Sequence, residues 1–475
     1  MLSWLRNHWR KALLISIAAI FIAIFLVLEV FSRGAAAIFN QAMMEQDMLK
    51  GTVTAEKIVA HITGDVNFTN LEWRDPEGRL ILRVPEGHFH ARPWDVVTGH
   101  IKSTTIQELT IRNAEVSVHL ADDMSVDFVR NSPDMRKVKE DEEDWQKKVS
   151  LVGKSEEERK RIGEFRRRKR AEKMAKQWKN FDRAGKKIRM QLKFEDCRVE
   201  VFFKARHYLL SRANLTADIN TDRAMKIEAY TGNFGGTMIG NGIRVQGEVD
   251  FAAQDVPVGD LQVSFMDVDP SSLDLGINIH DKMTLDCQLQ GALNNISGDG
   301  NVSMRELNIP GLQFQNVQGK IHYDGEKLLF TDVMANVYDG QLAAEGEYDL
   351  DTRYYHIHGQ GKNLQTSKAL PGSHLYCGVD LDMDFVSKGS SRETTASGNF
   401  TSTQGRYRMV PFQRISGKFS QAYRDLQFRD VIIEFAGFTV STDALRIKDK
   451  KLTLAPINIT DNRGENISTI DINKK

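Results

Sequence analysis

Val317-Gln318-Gly319-Lys320-Ile321-His322-Tyr323, followed by Asp324-Gly325 and then Leu328-Leu329-Phe330-Thr331-Asp332-Val333-Met334-Ala335-Asn336-Val337, is the stretch whose reading decides the fold. Val317, Gly319, Ile321 and Tyr323 alternate with Gln318, Lys320 and His322, the period of two expected of a strand with one apolar face. Asp-Gly between two such runs is a hairpin signal. Leu328 and Phe330 begin the return strand, and the apolar phase then slips by one, to Val333, Ala335 and Val337. A slip of one residue inside a strand predicts a β-bulge, here at Asp332. Tyr338-Asp339-Gly340 and Asp351-Thr352 predict the next turns, so the pattern is an antiparallel meander.

The same stretch returns downstream. Gly300 to Tyr338 superimposes on Gly398 to Ala436 at a constant offset of 98 residues, without a gap. The offset matches Phe314 with Phe412, Gly319-Lys320 with Gly417-Lys418, Leu328 with Leu426, Phe330 with Phe428, and Asp332-Val333 with Asp430-Val431. The second copy continues with Ile433 and Phe435 and predicts its own bulge at Asp430. A weaker upstream copy is marked by Phe234-Gly235-Gly236, which resembles Tyr338-Asp339-Gly340. Recurrence of a several-stranded unit predicts an open, extended array.

Around this repeat the chain divides by texture. Its 475 residues exceed one ordinary compact domain. Residues 51–130 read as a first β segment, punctuated by Gly64-Asp65 and Asp75-Pro76-Glu77-Gly78, and residues 191–475 as the repetitive β domain. Between them, residues 131–190 read as a charged, helix-prone insertion. It has an acidic cluster, Glu140-Asp141-Glu142-Glu143-Asp144, and then thirteen Lys/Arg against three Asp/Glu from Arg161 to Arg189.

At the N-terminus, Ala12 to Leu28 is apolar except for Ser16, and Val30-Phe31 extend it past Glu29, giving about 20 residues, enough to cross a bilayer. Trp4 and Trp9 precede it, and Arg6, Arg10 and Lys11 outnumber the cations on the far side. The positive-inside rule makes 1–11 a cytoplasmic tail, 12–31 the transmembrane anchor, and the remainder a single body across the membrane. A cleaved leader ending near Ala35-Ala36-Ala37 is the competing reading, disfavoured by the length of the apolar run.

Little in the sequence carries chemistry. Cys197, Cys287 and Cys377 are an odd, sparse set, unsuited to a disulfide framework or to zinc spacing, and read as small strand hydrophobes. His88-x-His90 and His356-x-His358 each place two imidazoles on one strand face, without a third ligand at a suggestive spacing. No P-loop, nucleophile elbow or zinc-protease motif occurs, and Gly232-Asn233-Phe234-Gly235-Gly236 joins strands instead of opening a helix. The expectation is therefore a protein that is not an enzyme, with no catalytic residue, metal or cofactor. Formal net charge is +0. The run Arg166-Arg167-Arg168-Lys169-Arg170 falls outside the cytoplasm in the predicted topology, so nucleic acid is not expected as a partner; anionic lipid or an acidic protein suits that run better.

The lone N-terminal anchor, the segment Gly64-Asp65-Val66-Asn67-Phe68-Thr69-Asn70-Leu71 with Asp75-Pro76-Glu77-Gly78 and Leu80-Ile81-Leu82, and the later Leu-x-Phe-x-Asp-Val module with Gly346-Glu347-Tyr348-Asp349-Leu350 together resemble the AsmA-like family of bacterial envelope proteins. The likeness covers roughly 51–130 and 191–475 and excludes the charged insertion. It implies a mainly β fold: one transmembrane helix followed by an elongated, curved antiparallel β-sheet groove in the periplasm, held to the inner membrane. It also implies binding or conduction of phospholipids between inner and outer membranes. The apolar phase of the repeat then nominates the lining: Val317, Ile321, Tyr323, Leu328, Phe330, Val333 and Val337 in one copy; Phe412, Ile415, Phe419, Leu426, Phe428, Val431, Ile433 and Phe435 in the other. An apolar face must be covered, whether by a second sheet, by closure or by an apolar ligand. A non-enzymatic scaffold for outer-membrane protein assembly, working through exposed β-edges on a periplasmic or outer-membrane partner, is the alternative.

Overall fold

The structure is a computed structural model and describes residues 51–120, 155–172 and 189–471, apart from short breaks. The expected anchor at 12–31 and the acidic cluster at 140–144 lie outside the described residues; among those described, no helix is long and apolar enough to cross a membrane. The chain is mainly β, built from large antiparallel ladders with few helices. It divides into two units, residues 1–278 with 282–298, and residues 279–281 with 299–475.

The first unit contains β1 (Thr52–Ala60), β2 (Asp65–Arg74), β3 (Leu80–Ala91), β4 (Ile106–Arg112), β5 (Glu115–Leu120), β6 (Arg189–Phe203), β7 (Arg206–Asn220), β8 (Ala224–Tyr230), β9 (Asn233–Gly236), β10 (Gly242–Asp250), β11 (Val258–Val268) and β12 (Met283–Ala292). The pairing is antiparallel throughout, with β4 and β5 side by side along β3, and β8 and β9 side by side along β7 before β8 meets β10, except that β4 and β5 both run parallel to β6. A parallel pair needs a long crossover, and residues 121–188 supply it. Within that stretch, residues 157–165 are helical. Their start is a capping box: Glu158 N–H donates to Ser155 Oγ at 3.3 Å, and Ser155 N–H donates to Glu158 Oε2 at 3.0 Å.

One face of this ladder is wholly apolar. Leu109, Leu192, Ala217, Ile227, Gly247, Leu261 and Leu289 lie in register across successive strands. Leu109, Leu192 and Ala217 are 0% exposed, and a single cluster of buried side chains runs from Phe68 to Leu289. Burial of this kind contributes about 1.5–3 kcal/mol for each large side chain, so this unit holds a conventional core.

A single residue in the left-handed region breaks the regularity of several strands. Asn70, Asn113, Asp196, Arg212 and Asp267 have φ of 47°, 51°, 51°, 50° and 52°. The registers bring Asn113, Asp196 and Arg212 to neighbouring positions: Arg112 faces Glu195, Cys197 faces Ala213, and Ser211 faces Asn233. The result is a crease across the sheet. Asn and Asp dominate it because their short polar side chains tolerate the left-handed conformation.

The second unit contains β13 (Ser297–Ile309), β14 (Leu312–Tyr323), β15 (Lys327–Val337), β16 (Gly340–Asp349), β17 (Tyr354–Gln365), β18 (Leu375–Tyr376), β19 (Gly378–Lys388), β20 (Thr394–Ser402), β21 (Gly405–Tyr407), β22 (Val410–Phe412), β23 (Arg414–Ala422), β24 (Asp425–Glu434), β25 (Phe438–Lys448), β26 (Lys451–Leu454), β27 (Ile457–Asp461) and β28 (Asn466–Ile470). The offset of 98 residues holds in the structure: β14, β15 and β16 correspond to β22 with β23, β24 and β25. The register slips between Phe330 and Val333, and again between Ser416 and Lys418 where β23 meets Asp430. Asp332 and Asp430 have φ of 53° and 52°, and each carboxylate accepts from the lysine twelve residues earlier, Lys320 at 2.7 Å and Lys418 at 3.0 Å.

Asp332→Val will therefore destabilise this unit by about 1–2 kcal/mol, since a β-branched residue fits the left-handed region poorly, whereas Asp332→Gly will be tolerated. Urea midpoints of the two variants check this; equal midpoints would count against a conformational origin.

Candidate functional site

The candidate site is the apolar face of the second unit. Strand pairing places Val333, Ala344, Gly359, Met383, Gly398, Phe419, Phe428, Leu445 and Leu454 in one row crossing the sheet. A second row on the same face is Phe330, Gly346, Ile357, Phe385 and Ala396, and a third is Ile415, Ile433, Val440 and Ile459. The ladder brings the residues nominated from the repeat onto this one face: Val317, Ile321, Tyr323, Leu328, Phe330, Val333 and Val337, with Ile415, Phe419, Leu426, Phe428, Val431, Ile433 and Phe435. Phe412 is placed elsewhere. It lies in β22, part of a separate three-stranded sheet of β18, β21 and β22, where its ring packs over Gly405.

Between Val317 and Leu454 the strands present no charged side chain on this face. The charges point the other way: Arg414 pairs with Glu434, Arg446 with Asp425, and Lys327 with Glu347. Such alternation is what a sheet with one apolar and one solvated face requires. Glycines admit large neighbours on the apolar side, as at Gly417, whose missing Cβ leaves room for the Phe400 ring. Phe400 in turn meets Phe428 edge-on, with centroids 6.0 Å apart.

The burial of this face differs from that of the first unit. In β14 and β15, Val317, Leu328, Ala335 and Val337 are buried, whereas Ile321, Tyr323, Phe330 and Val333 are only half-buried. Beyond Phe412 no described residue is buried at all, so Phe419, Phe428, Ile433 and Leu445 all keep contact with solvent. Among the described residues, nothing closes over these strands. A contiguous apolar surface left in contact with solvent is the kind of surface that ligands or partners cover.

The paired histidines sit on the polar side. His90 contacts Asp65 at 2.8 Å in the first unit; in the second, His356 Nε2 and His358 Nδ1 meet Asp384 Oδ1 at 3.0 and 3.2 Å. Among the described residues, no group of three or more His, Cys, Asp and Glu is arranged to hold a metal ion. The hydrogen bond from His356, helped by that from His358, holds the Asp384 carboxyl below its usual 3.8. A depressed carboxylate stabilises the fold above its unfolded value and loses that contribution as pH falls through the folded one. Asp384→Asn will therefore lower stability modestly above about pH 5, and the deficit will shrink as pH falls below about 4, where the native carboxylate also becomes protonated. Urea midpoints measured against pH check this.

The cysteines are unbonded. Burial pushes the Cys197 and Cys287 thiols up to about 11, so neither is a nucleophile at neutral pH.

Compared with models of protein families, with curated proteins and with solved structures, the chain matches none.

Proposed function

We propose that the protein binds phospholipid by its acyl chains along the apolar face of the second unit, and passes lipid between inner and outer membranes from an anchor at residues 12–31. One observation carries this reading: a face free of charge across the strands from β14 to β26, whose side chains from β23 onward all keep contact with solvent. Acyl chains cost about 0.8 kcal/mol per methylene to leave in water, so a trough that shields them lowers the barrier to transfer. No charged group on that face would lose its hydration on contact with a chain. The polar head group would remain at the rim, in water. The resemblance to AsmA-like proteins points the same way, as does the N-terminal apolar run.

Native mass spectrometry with lipid extraction, on the chain from Gly34 onward, tests the proposal. Phospholipid at a reproducible stoichiometry is expected. A lipid-free, monodisperse protein would defeat it.

The scaffold reading draws on a different observation. Among the described residues β28 pairs with β27 alone, and it exposes Ile467 and Ile470 at 60% and 47%. An open edge can add a client strand through backbone hydrogen bonds. Partners cross-linked through β28, with no lipid in the trough, would favour that reading.

A further inference from the structure

The small sheet of β18, β21 and β22 is a departure from the repeat. In the first copy the corresponding positions read Asn308-Ile309-Pro310-Gly311-Leu312; in the second they read Arg406-Tyr407-Arg408-Met409-Val410. Two cations, an aromatic and a methionine therefore belong to the second copy alone. The strand that should continue from β20 into β23 breaks off at this level, and its tip pairs instead with β18: Leu375 with Tyr407 and Tyr376 with Arg406. Arg408 makes the turn with φ of 53°, and its N–H donates to the His374 carbonyl at 2.8 Å. Below the tip, Phe412, Cys377 and Thr366 are buried, and Cys377 N–H donates to Thr366 Oγ1 at 3.0 Å. The projection is thus held in place from beneath.

Its upper surface is apolar and cationic together. Met409 is 92% exposed, and Tyr376, Tyr407 and Val410 stand around it in solvent. The Arg406 guanidinium lies 4.3 Å from the Tyr376 ring centroid, and that of Arg408 lies 5.8 Å from Tyr407. Residues 366–377 and 403–414 contain no carboxylate. Among the described residues, neither Arg406 nor Arg408 has an acidic partner within ion-pair distance. The neighbouring cations are already committed, Arg414 to Glu434 and Lys368 to Asp339.

We infer that this projection docks on the surface of a bilayer carrying anionic phospholipids. The layering of side chains matches that surface: Met409 and Val410 enter the acyl boundary, Tyr376 and Tyr407 lie at head-group depth, and Arg406 and Arg408 reach phosphate oxygens. The absence of carboxylates gives the charge complementarity, and the attraction acts only within a Debye length of the membrane. The projection and its partner surface are independent of whether the trough carries lipid.

The test uses the full chain in phosphatidylcholine nanodiscs, with an environment-sensitive fluorophore on Met409→Cys. The native thiols, buried or half-buried and all raised in pKa by burial, give only background in the unsubstituted chain. Vesicles containing about 30 mol % phosphatidylglycerol are expected to raise and blue-shift the emission several-fold, and pure phosphatidylcholine vesicles are not. Arg406→Gln with Arg408→Gln is expected to weaken vesicle binding about 30-fold, at roughly fivefold for each cation lost. The same dye on exposed Ser397→Cys, outside the projection, is expected to stay silent. No response at position 409, an undiminished response in the double arginine variant, or an equal response at 397 would each overturn the inference. A protein cross-linked to the tip without any vesicle response would also overturn it.

Discussion

Leu192→Ala will remove about 2–5 kcal/mol from the first unit, a large part of the ~5–15 kcal/mol that holds an ordinary domain together. Leu192 is 0% exposed and lies between Leu109 and Ala217, themselves fully buried, so no water can fill the space left and neighbouring strands cannot close it without breaking their ladders. Phe419→Ala removes a larger side chain in the second unit, yet will cost roughly half as much, because that ring already keeps part of its surface in water. Hydrogen exchange across each unit of the full chain, as a function of urea, separates the two effects. Equal losses at Leu192 and Phe419 would contradict the contrast between a closed core and an open face.

Phe330→Asp and Ile433→Asp will each cut bound phospholipid at least ~10-fold while leaving the chain folded. Both residues lie on the charge-free face, half-buried, one in each copy of the repeat. A carboxylate facing solvent is hydrated at little cost, so folding survives. The same carboxylate beneath an acyl chain must lose water to a hydrocarbon neighbour, which costs several kcal/mol without a partner. Lipid extracted per mole of each variant is the readout. Undiminished lipid in both variants would remove these strands from the binding surface.

Much of the ladder was legible because alternation and turn residues are local. Asp324-Gly325 turns β14 into β15, and the slip of apolar phase at Asp332 and Asp430 coincides with slips of register in both copies. Other features were not legible. Within the first β segment, Asn113 separates β4 from β5, and the two then pair parallel with β6. Alternation cannot report pairing direction. The only hint was the long charged interval before β6, which allows a crossover. The sheet of β18, β21 and β22 went unread as well, although a signal was present: the repeat holds across Phe314 and Phe412, but the residues just before them differ completely in character. There Phe412 pairs with Gly405 in the small sheet, whereas its counterpart Phe314 pairs with Val337 in the main ladder.

By itself the sequence determined a β chain with a repeat of 98 residues, the places where its strands turn and bulge, and which side of each strand is apolar, because those properties depend on neighbours two or three residues away. Only the tertiary structure decided what becomes of that apolar side. In the first unit the same alternation ends in side chains at 0% exposure; in the second it ends in a face still wet after Phe412. Burial depends on what the sheet curls against, a relation between strands far apart in the chain, and no local pattern encodes it.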